Sequence, residues 1–165
     1  MIIDRLNSCI INKNKYNELK NQLKSDKNSS YILPKFEKLN DYLIIILINN
    51  NNIVSSLFAS VNDNNIMING LFTPKNHRIN GYSTQLHIWL HNYAKLNKYN
   101  KIIAIPLDLS ESKFIYEKLG YEHNLNNYFL HLNSWYFLDA MQSNMYILPN
   151  ICLQTSCTDF LFLWS

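Results

Sequence analysis

The sequence predicts an α/β (α+β) domain in which a mixed, mostly antiparallel sheet carries helices on both faces. Three runs rich in β-branched residues follow one another across Asn-rich turns, which is the pattern of an antiparallel meander. Amphipathic helices then alternate with apolar strands. The 165 residues are 47% hydrophobic and only 16% charged, so a single folded core is expected.

The predicted meander consists of residues 42–48, 53–61 and 66–73. Asn49 to Asn52 form the first turn, because asparagine tolerates the left-handed backbone that tight turns need. Asp63, Asn64 and Asn65 form the second turn, and Pro74 ends the third strand.

Helical spacing appears on both sides of the meander. Upstream, Tyr16, Leu19 and Leu23 predict an amphipathic helix over residues 14–24, and a second short helix fits residues 34–39. Downstream, residues 81–96 form the clearest helix. Its predicted apolar face consists of Tyr82, Leu86, Trp89, Leu90, Tyr93 and Asn97.

The rest of the predicted domain is a strand, a helix and a last strand. Residues 101–107 read as a strand, and residues 110–119 as a helix with Ser110 as its N-cap and Gly120 after its end. A single strand over residues 121–131 completes the order.

Residues 134–165 do not follow this alternation. We therefore divide the chain into a domain over residues 1–133 and an aromatic, apolar extension over residues 134–165. A segment so rich in aromatic residues needs cover. It packs on the domain surface or forms an oligomer contact, such as a homodimer, and the sequence leaves both alternatives open.

Composition argues against several classes of protein. The net charge is +3 and the basic residues are dispersed, so no nucleic acid is expected as the main ligand. The longest apolar run, residues 43–48, is far shorter than the roughly 20 residues of a membrane span, so no membrane is expected either. Three cysteines without metal spacing and without a secretory leader indicate a reducing, cytoplasmic location.

The most informative segment joins the third strand of the meander to the clearest helix. Unpaired N–H groups and the helix dipole at the helix start favour an anion. Gly81 lets the backbone approach a phosphate, and Arg78 supplies a positive charge, so a pyrophosphate fits. An ordinary loop before a helix remains the alternative from these residues alone.

The segment Arg78-Ile-Asn-Gly81-Tyr-Ser83 resembles the acetyl-CoA loop of the GNAT N-acetyltransferase superfamily. That loop has Arg or Gln, two residues, Gly, one residue, then Gly or Ala; Ser83 departs from the last position. The resemblance covers residues 43–131 and implies a GNAT-like central sheet of about six to seven strands.

A second match supports the resemblance. Residues 112–121 resemble the family pattern Ala-x-x-x-Tyr-x-x-x-Gly-Phe, with Tyr116 at the tyrosine. In the family that phenol protonates the departing CoA thiolate, so Tyr116 is the expected general acid. The family's Asn seven residues earlier is Leu109 here.

The resemblance implies an acetyl-CoA-dependent N-acetyltransferase that acts by direct attack in a ternary complex. The acceptor would be a small-molecule amine or a protein amine. A backbone N–H near Gly70 to Phe72 would serve as the oxyanion donor. The expected cofactor-binding residues are Leu71, Phe72, Thr73, Arg78, Ile79, Asn80, Gly81, Tyr82, Ser83 and Thr84.

Other interpretations stay open beside this one. Many relatives have a Glu that acts as the general base near the position of Asn69, so the general base of this chain is unassigned. Asp63 and His77 are better explained as surface residues. A catalytically idle module that binds acyl-CoA or a protein is the alternative function.

Two further groups of residues are expected to carry no chemistry. His87 and His91 are interpreted as polar-face residues rather than metal ligands, and no metal is expected. Cys152, Cys157 and His131 lack the partner pattern of thiol catalysis.

Overall fold

A computed structural model describes residues 1–6, 12–25, 33–105, 115–124, 127–132 and 152–153. Several sequence predictions fall outside these ranges. They include the N-cap Ser110, the position of Leu109 and all of the extension except residues 152–153.

The described strands are β1 Ile2–Leu6, β2 Leu43–Asn49, β3 Asn52–Asn62, β4 Asn65–Phe72, β5 Lys101–Ala104, β6 Glu122–Asn124, β7 Asn127–His131 and the two-residue β8 Cys152–Leu153. They form one sheet with the strand order β6-β7-β5-β4-β3-β2-β1-β8. Neighbouring strands are antiparallel except for the β4/β5 pair at the centre and the β1/β8 pair at the edge. The predicted mixed, mostly antiparallel sheet is therefore confirmed.

Strands β2, β3 and β4 form the predicted meander, and their turns have the expected backbone. Asn50 and Asn51 have φ angles of 48° and 63°, and Asp63 has 51°. Asparagine and aspartate tolerate this left-handed region because their short polar side chains bond locally. The Asn-rich turns thus fix the register of the three central strands.

Helices cover both faces of the sheet. Helix α1, Lys13–Ser25, and a 3₁₀ helix, Phe36–Asp41, lie on one face, where Leu19 and Leu39 are fully buried against residues such as Ile44. Helix α2, Tyr82–Leu96, lies on the other face with the helical residues 115–118. The strand side chains alternate between the two cores, as a pleated sheet requires. No helix within the described ranges is long and apolar enough to cross a membrane.

The buried face of α2 differs from the predicted one. It consists of Leu86, His87, Leu90, His91 and Ala94. His87 and His91 are 0% and 2% exposed, so the prediction that they lie on the polar face is wrong. Trp89 and Tyr93 are only half-buried, and their rings stack on each other with a distance of 5.2 Å between the ring centroids.

The last predicted strand is also different. Two antiparallel strands occupy this part of the chain instead of one, with β6 at the sheet edge and β7 between β6 and β5. Their pairing runs from Glu122 and Phe129 to Asn124 and Asn127.

Candidate active site

The pairing between the parallel strands β4 and β5 ends halfway along β4. They pair from Asn65↔Lys101 to Ile68↔Ala104, where β5 ends, while β4 continues to Phe72. Within the described ranges, the backbone of residues 69–72 therefore has no ladder partner on the β5 side. An open strand edge offers N–H and C=O groups to an extended ligand.

A β-bulge lies at the point where the strands part. Phe58 pairs with Gly70 and Ala59 with Ile68, so Asn69 is the extra residue of β4. Bulges twist a strand and re-aim its backbone groups. The exposed Asn69 side chain donates from Nδ2 to the Ser60 hydroxyl at 3.0 Å.

Side chains fix the far end of β4. The hydroxyl of the fully buried Ser55 donates to the Phe72 carbonyl at 3.1 Å and lies 2.8 Å from the Thr73 Oγ1. Arg78 in turn donates from Nε to the Thr73 carbonyl at 3.2 Å. These bonds join β3, the end of β4 and the following loop into one unit.

The loop before α2 is built on two left-handed residues, Ile79 and Gly81, each with φ 71°. The Asn80 amide donates to the carbonyls of His77 and Arg78 at 3.2 and 3.3 Å, which closes the turn locally. A Cβ on Gly81 would meet nothing within 4 Å, so glycine is needed there for its backbone angle alone.

Helix α2 begins without a side-chain cap among the described residues. Gly81 is the N-cap residue and makes no side-chain cap bond, since it has no side chain. Its carbonyl accepts the first helical bond from the Gln85 N–H at 3.1 Å. The partial positive charge of the helix start is therefore not neutralised by a capping side chain.

Ile79 is unusual because it is fully exposed, at 104%, and β-branched in the left-handed region. Such residues are rare there because Cβ approaches the following carbonyl. The strain sits in the same loop as Arg78.

Tyr116 lies on the α2 face and is 5% exposed. Its ring centroid is 5.0 Å from that of Tyr128, 5.1 Å from Tyr121 and 5.5 Å from His87. Leu71 of β4 and Tyr82 of α2 pack against the same buried cluster. The end of β4, the start of α2 and Tyr116 thus share one core.

Burial sets the protonation of this cluster. It lowers the pKa of His87 to about 4 and holds that of His91 well below its usual range, with the charges of His87 and Lys95 adding to the effect on His91. Burial, with a smaller contribution from Tyr116, raises the pKa of Tyr121 well above 10. At neutral pH both imidazoles are neutral and the Tyr121 phenol keeps its proton.

The predicted cofactor-binding residues lie in two nearby runs, residues 71–73 at the end of β4 and residues 78–84 in the loop and the first turn of α2. Sequence reasoning missed Ser55, because only the strand register reveals that it faces Thr73. It noticed the His87 and His91 pair but placed it on the wrong side of the helix.

Several solved structures with a similar fold are N-acetyltransferases or acetyltransferases of the GNAT family. Two solved structures illustrate the likeness. An acetyltransferase of the GNAT family from Staphylococcus aureus Mu50 has a TM-score of 0.61 and 17% identity, over 74% of this chain and 96% of that chain. The ribosomal-protein-S18-alanine N-acetyltransferase from Escherichia coli has a TM-score of 0.65 and 10% identity, over 80% of this chain and 94% of that chain.

A third similar structure is an aminoglycoside 6'-N-acetyltransferase complexed with coenzyme A. Its TM-score is 0.63 and its identity 15%, over 81% of this chain and 98% of that chain. No protein-family model and no curated protein matches the chain in sequence. At these identities the comparisons establish that the chain has the GNAT fold.

Proposed function

We propose that the protein is an acetyl-CoA-dependent N-acetyltransferase that moves an acetyl group to a primary amine. The observation that carries the proposal is the stretch of β4, residues 69–72, that has no strand partner on its β5 side within the described ranges and that leads through the loop to the start of α2. This arrangement offers an extended hydrogen-bonding edge followed by an anion site, which matches a pantetheine arm followed by a pyrophosphate.

The cofactor would lie along β4 and turn at the loop. Its pantetheine amides would pair with the backbone of Leu71, Phe72 and Thr73. Its pyrophosphate would accept hydrogen bonds from N–H groups between Ile79 and Thr84, with Arg78 adding charge. The aminoglycoside acetyltransferase of the same fold was solved with coenzyme A, which supports this class of ligand.

The chemistry would be direct acyl transfer. A neutral amine attacks the acetyl carbonyl carbon, a C–N bond forms, and the C–S bond breaks. The thiolate sulfur takes the phenolic proton of Tyr116, and the proton lost from the amine returns to solvent, from which Tyr116 is reprotonated. A backbone N–H near the bulge, between Gly70 and Phe72, would donate to the oxyanion.

The acceptor would be an amine on a small molecule or on a protein. Two proteins of the same fold carry names that include an aminoglycoside and a ribosomal protein, and these span both possibilities. Homodimer formation and a cytoplasmic location remain predictions.

A second candidate is an idle GNAT-like module that binds acyl-CoA or a protein. The observation that favours it is Asn69, whose amide stands at the bulge and donates to Ser60. An amide does not remove the proton of a substrate ammonium, or of the amine as it attacks, in the way that a carboxylate does.

Replacing Tyr116 with Phe tests the proposal against this alternative. Thiol release from acetyl-CoA is measured over a panel of amines, and acetyl-CoA affinity is measured by calorimetry. For an enzyme, Tyr116→Phe should lower kcat by about 10² to 10⁴ with affinity kept, because only the general acid is removed. Tyr42→Phe, on an exposed ring before β2, is the matched control. Acetyl-CoA binding without turnover of any amine by wild type would favour the idle module.

A further inference from the structure

Five rings form a buried group under α2, which we call the ring cluster: His87, His91, Tyr116, Tyr121 and Tyr128. The ring centroid of His87 lies 5.5 Å from that of Tyr116, 6.0 Å from that of Tyr121 and 6.3 Å from that of His91. The contacts with the two tyrosines are nearly perpendicular, at 85° and 77°.

The two histidines of the ring cluster differ in their hydrogen bonds. His91 Nε2 lies 3.2 Å from the Tyr121 hydroxyl. His87 is 0% exposed, and neither of its ring nitrogens has a hydrogen-bond partner among the described residues. A buried polar group in this condition costs stability, and an apolar side chain of similar size would avoid that cost. Packing alone therefore does not explain a histidine here.

The surroundings of His87 are aromatic. The titratable groups that face it are His91 on its own helix, Tyr116 on the helical segment 115–118, and Tyr121 just before β6. Burial lowers the pKa of His87 to about 4, so at neutral pH the ring carries one N–H and one bare nitrogen. In the part of the chain that the structure describes, its N–H is a donor without an acceptor, and its ring packs against that of Tyr116.

We propose that His87 is a positioning residue for Tyr116, holding the phenol ring in place and donating a hydrogen bond when that phenol becomes a phenolate. The proposal rests on the proposed function. The phenolic proton goes to the sulfur of the departing CoA, and the negative charge stays on the Tyr116 oxygen. That charge forms in a buried site, where a nearby N–H stabilises it strongly. No proton leaves the imidazole, and Tyr116 later regains its proton from solvent.

His91 does not fit this role. Its Nε2 is engaged with the Tyr121 hydroxyl, and its ring lies against Tyr121 at 5.7 Å. The pair on α2 thus divides into a structural histidine and one whose donor remains for catalysis. This division gives the experiment its matched control.

The test compares His87→Leu, His87→Asn, His87→Gln and His91→Leu with wild type. Each variant is unfolded by urea at about pH 7, and kcat and KM for acetyl-CoA are measured with an amine that wild type acetylates. Leu is close to His in volume. Asn and Gln carry an amide N–H near the positions of Nδ1 and Nε2 respectively.

We expect His87→Leu to raise the urea midpoint and to lower kcat by about 10- to 100-fold, with KM for acetyl-CoA within about 2-fold. In a plot of kcat against pH, the fall in kcat at high pH, where the Tyr116 phenol loses its proton, should move to higher pH in this variant. The reason is that the Tyr116 phenolate has lost a hydrogen-bond donor. His87→Asn or His87→Gln should restore part of kcat. His91→Leu should instead lower the urea midpoint, because it removes the partner of a buried phenol.

A His87→Leu variant with the wild-type kcat and the wild-type fall in kcat at high pH would overturn this inference alone, since turnover by wild type leaves the proposed function standing. A His87→Leu variant that is less stable than wild type or fails to fold would also overturn it, because the imidazole would then be a structural residue. Failure of wild type to acetylate any amine would overturn the proposed function, and the inference with it.

Discussion

Acidification should destabilise the fold through His87. The pKa of this fully buried imidazole falls from 6.5 to about 4 because burial penalises the charged ring. The unfolded chain therefore binds more protons than the folded chain between these two values. Stability is fully present above pH 6.5 and is lost as the pH falls toward about 4.

The size of the effect follows from the two pKa values. The gap between 6.5 and about 4, at about 1.4 kcal/mol per pKa unit, gives a loss of about 3 kcal/mol in the free energy of unfolding. His91 acts in the same direction, because burial first, and then His87 and Lys95, lower its pKa. A loss of this size is a large fraction of the roughly 5–15 kcal/mol that stabilises a typical domain.

Urea unfolding followed by tryptophan fluorescence at a series of pH values from about 7 to about 4 measures the loss. The His87→Leu variant isolates the contribution of one ring, because it removes the titrating group and keeps the volume. Its stability should fall less than that of wild type across this window. Parallel curves for the two proteins would refute the reasoning.

Three other substitutions test particular contacts, each by urea unfolding. Ile79→Gly should stabilise the protein by about 1 kcal/mol, because it relieves a left-handed β-branched residue that is 104% exposed; a loss would mean that the side chain packs. Ser55→Ala should cost about 1–2 kcal/mol and raise KM for acetyl-CoA, because the Phe72 carbonyl loses its donor, whereas Ser55→Thr should keep that bond; equal KM values for both would contradict this. Glu18→Ala should cost about 1–3 kcal/mol and Glu18→Gln less, because Glu18 accepts from the buried Ile53 N–H at 2.7 Å; a neutral effect of Glu18→Ala would contradict this.

Local patterns sufficed for much of the fold. The meander followed from β-branched runs and Asn-rich turns, whose left-handed angles at Asn50 and Asn51 are set by residues adjacent in sequence. Helix α1 followed from the spacing of Tyr16, Leu19 and Leu23, all of which are buried. Both signals depend on neighbours in the chain, which a sequence displays directly.

Long-range packing explains what sequence patterns missed. A histidine on an amphipathic helix is ordinarily expected on the polar face. His87 is instead packed against Tyr116 and Tyr121, which come from a later part of the sequence. Trp89 and Tyr93 stack on each other and remain half-buried. The contact of Ser55 with Thr73 likewise depends on the register of two strands and has no local signal.

The most direct test of the central claim is a calorimetric titration of the protein with acetyl-CoA, beside two charge reversals. Arg78→Glu changes the loop at the start of α2, and Lys98→Glu makes the same change of charge just beyond its other end. Wild type and Lys98→Glu should bind with similar affinity, while a folded Arg78→Glu should bind at least about 10-fold more weakly, because a carboxylate then faces the pyrophosphate. Equal binding by all three proteins would contradict the loop assignment, and no binding by wild type would contradict the proposed function.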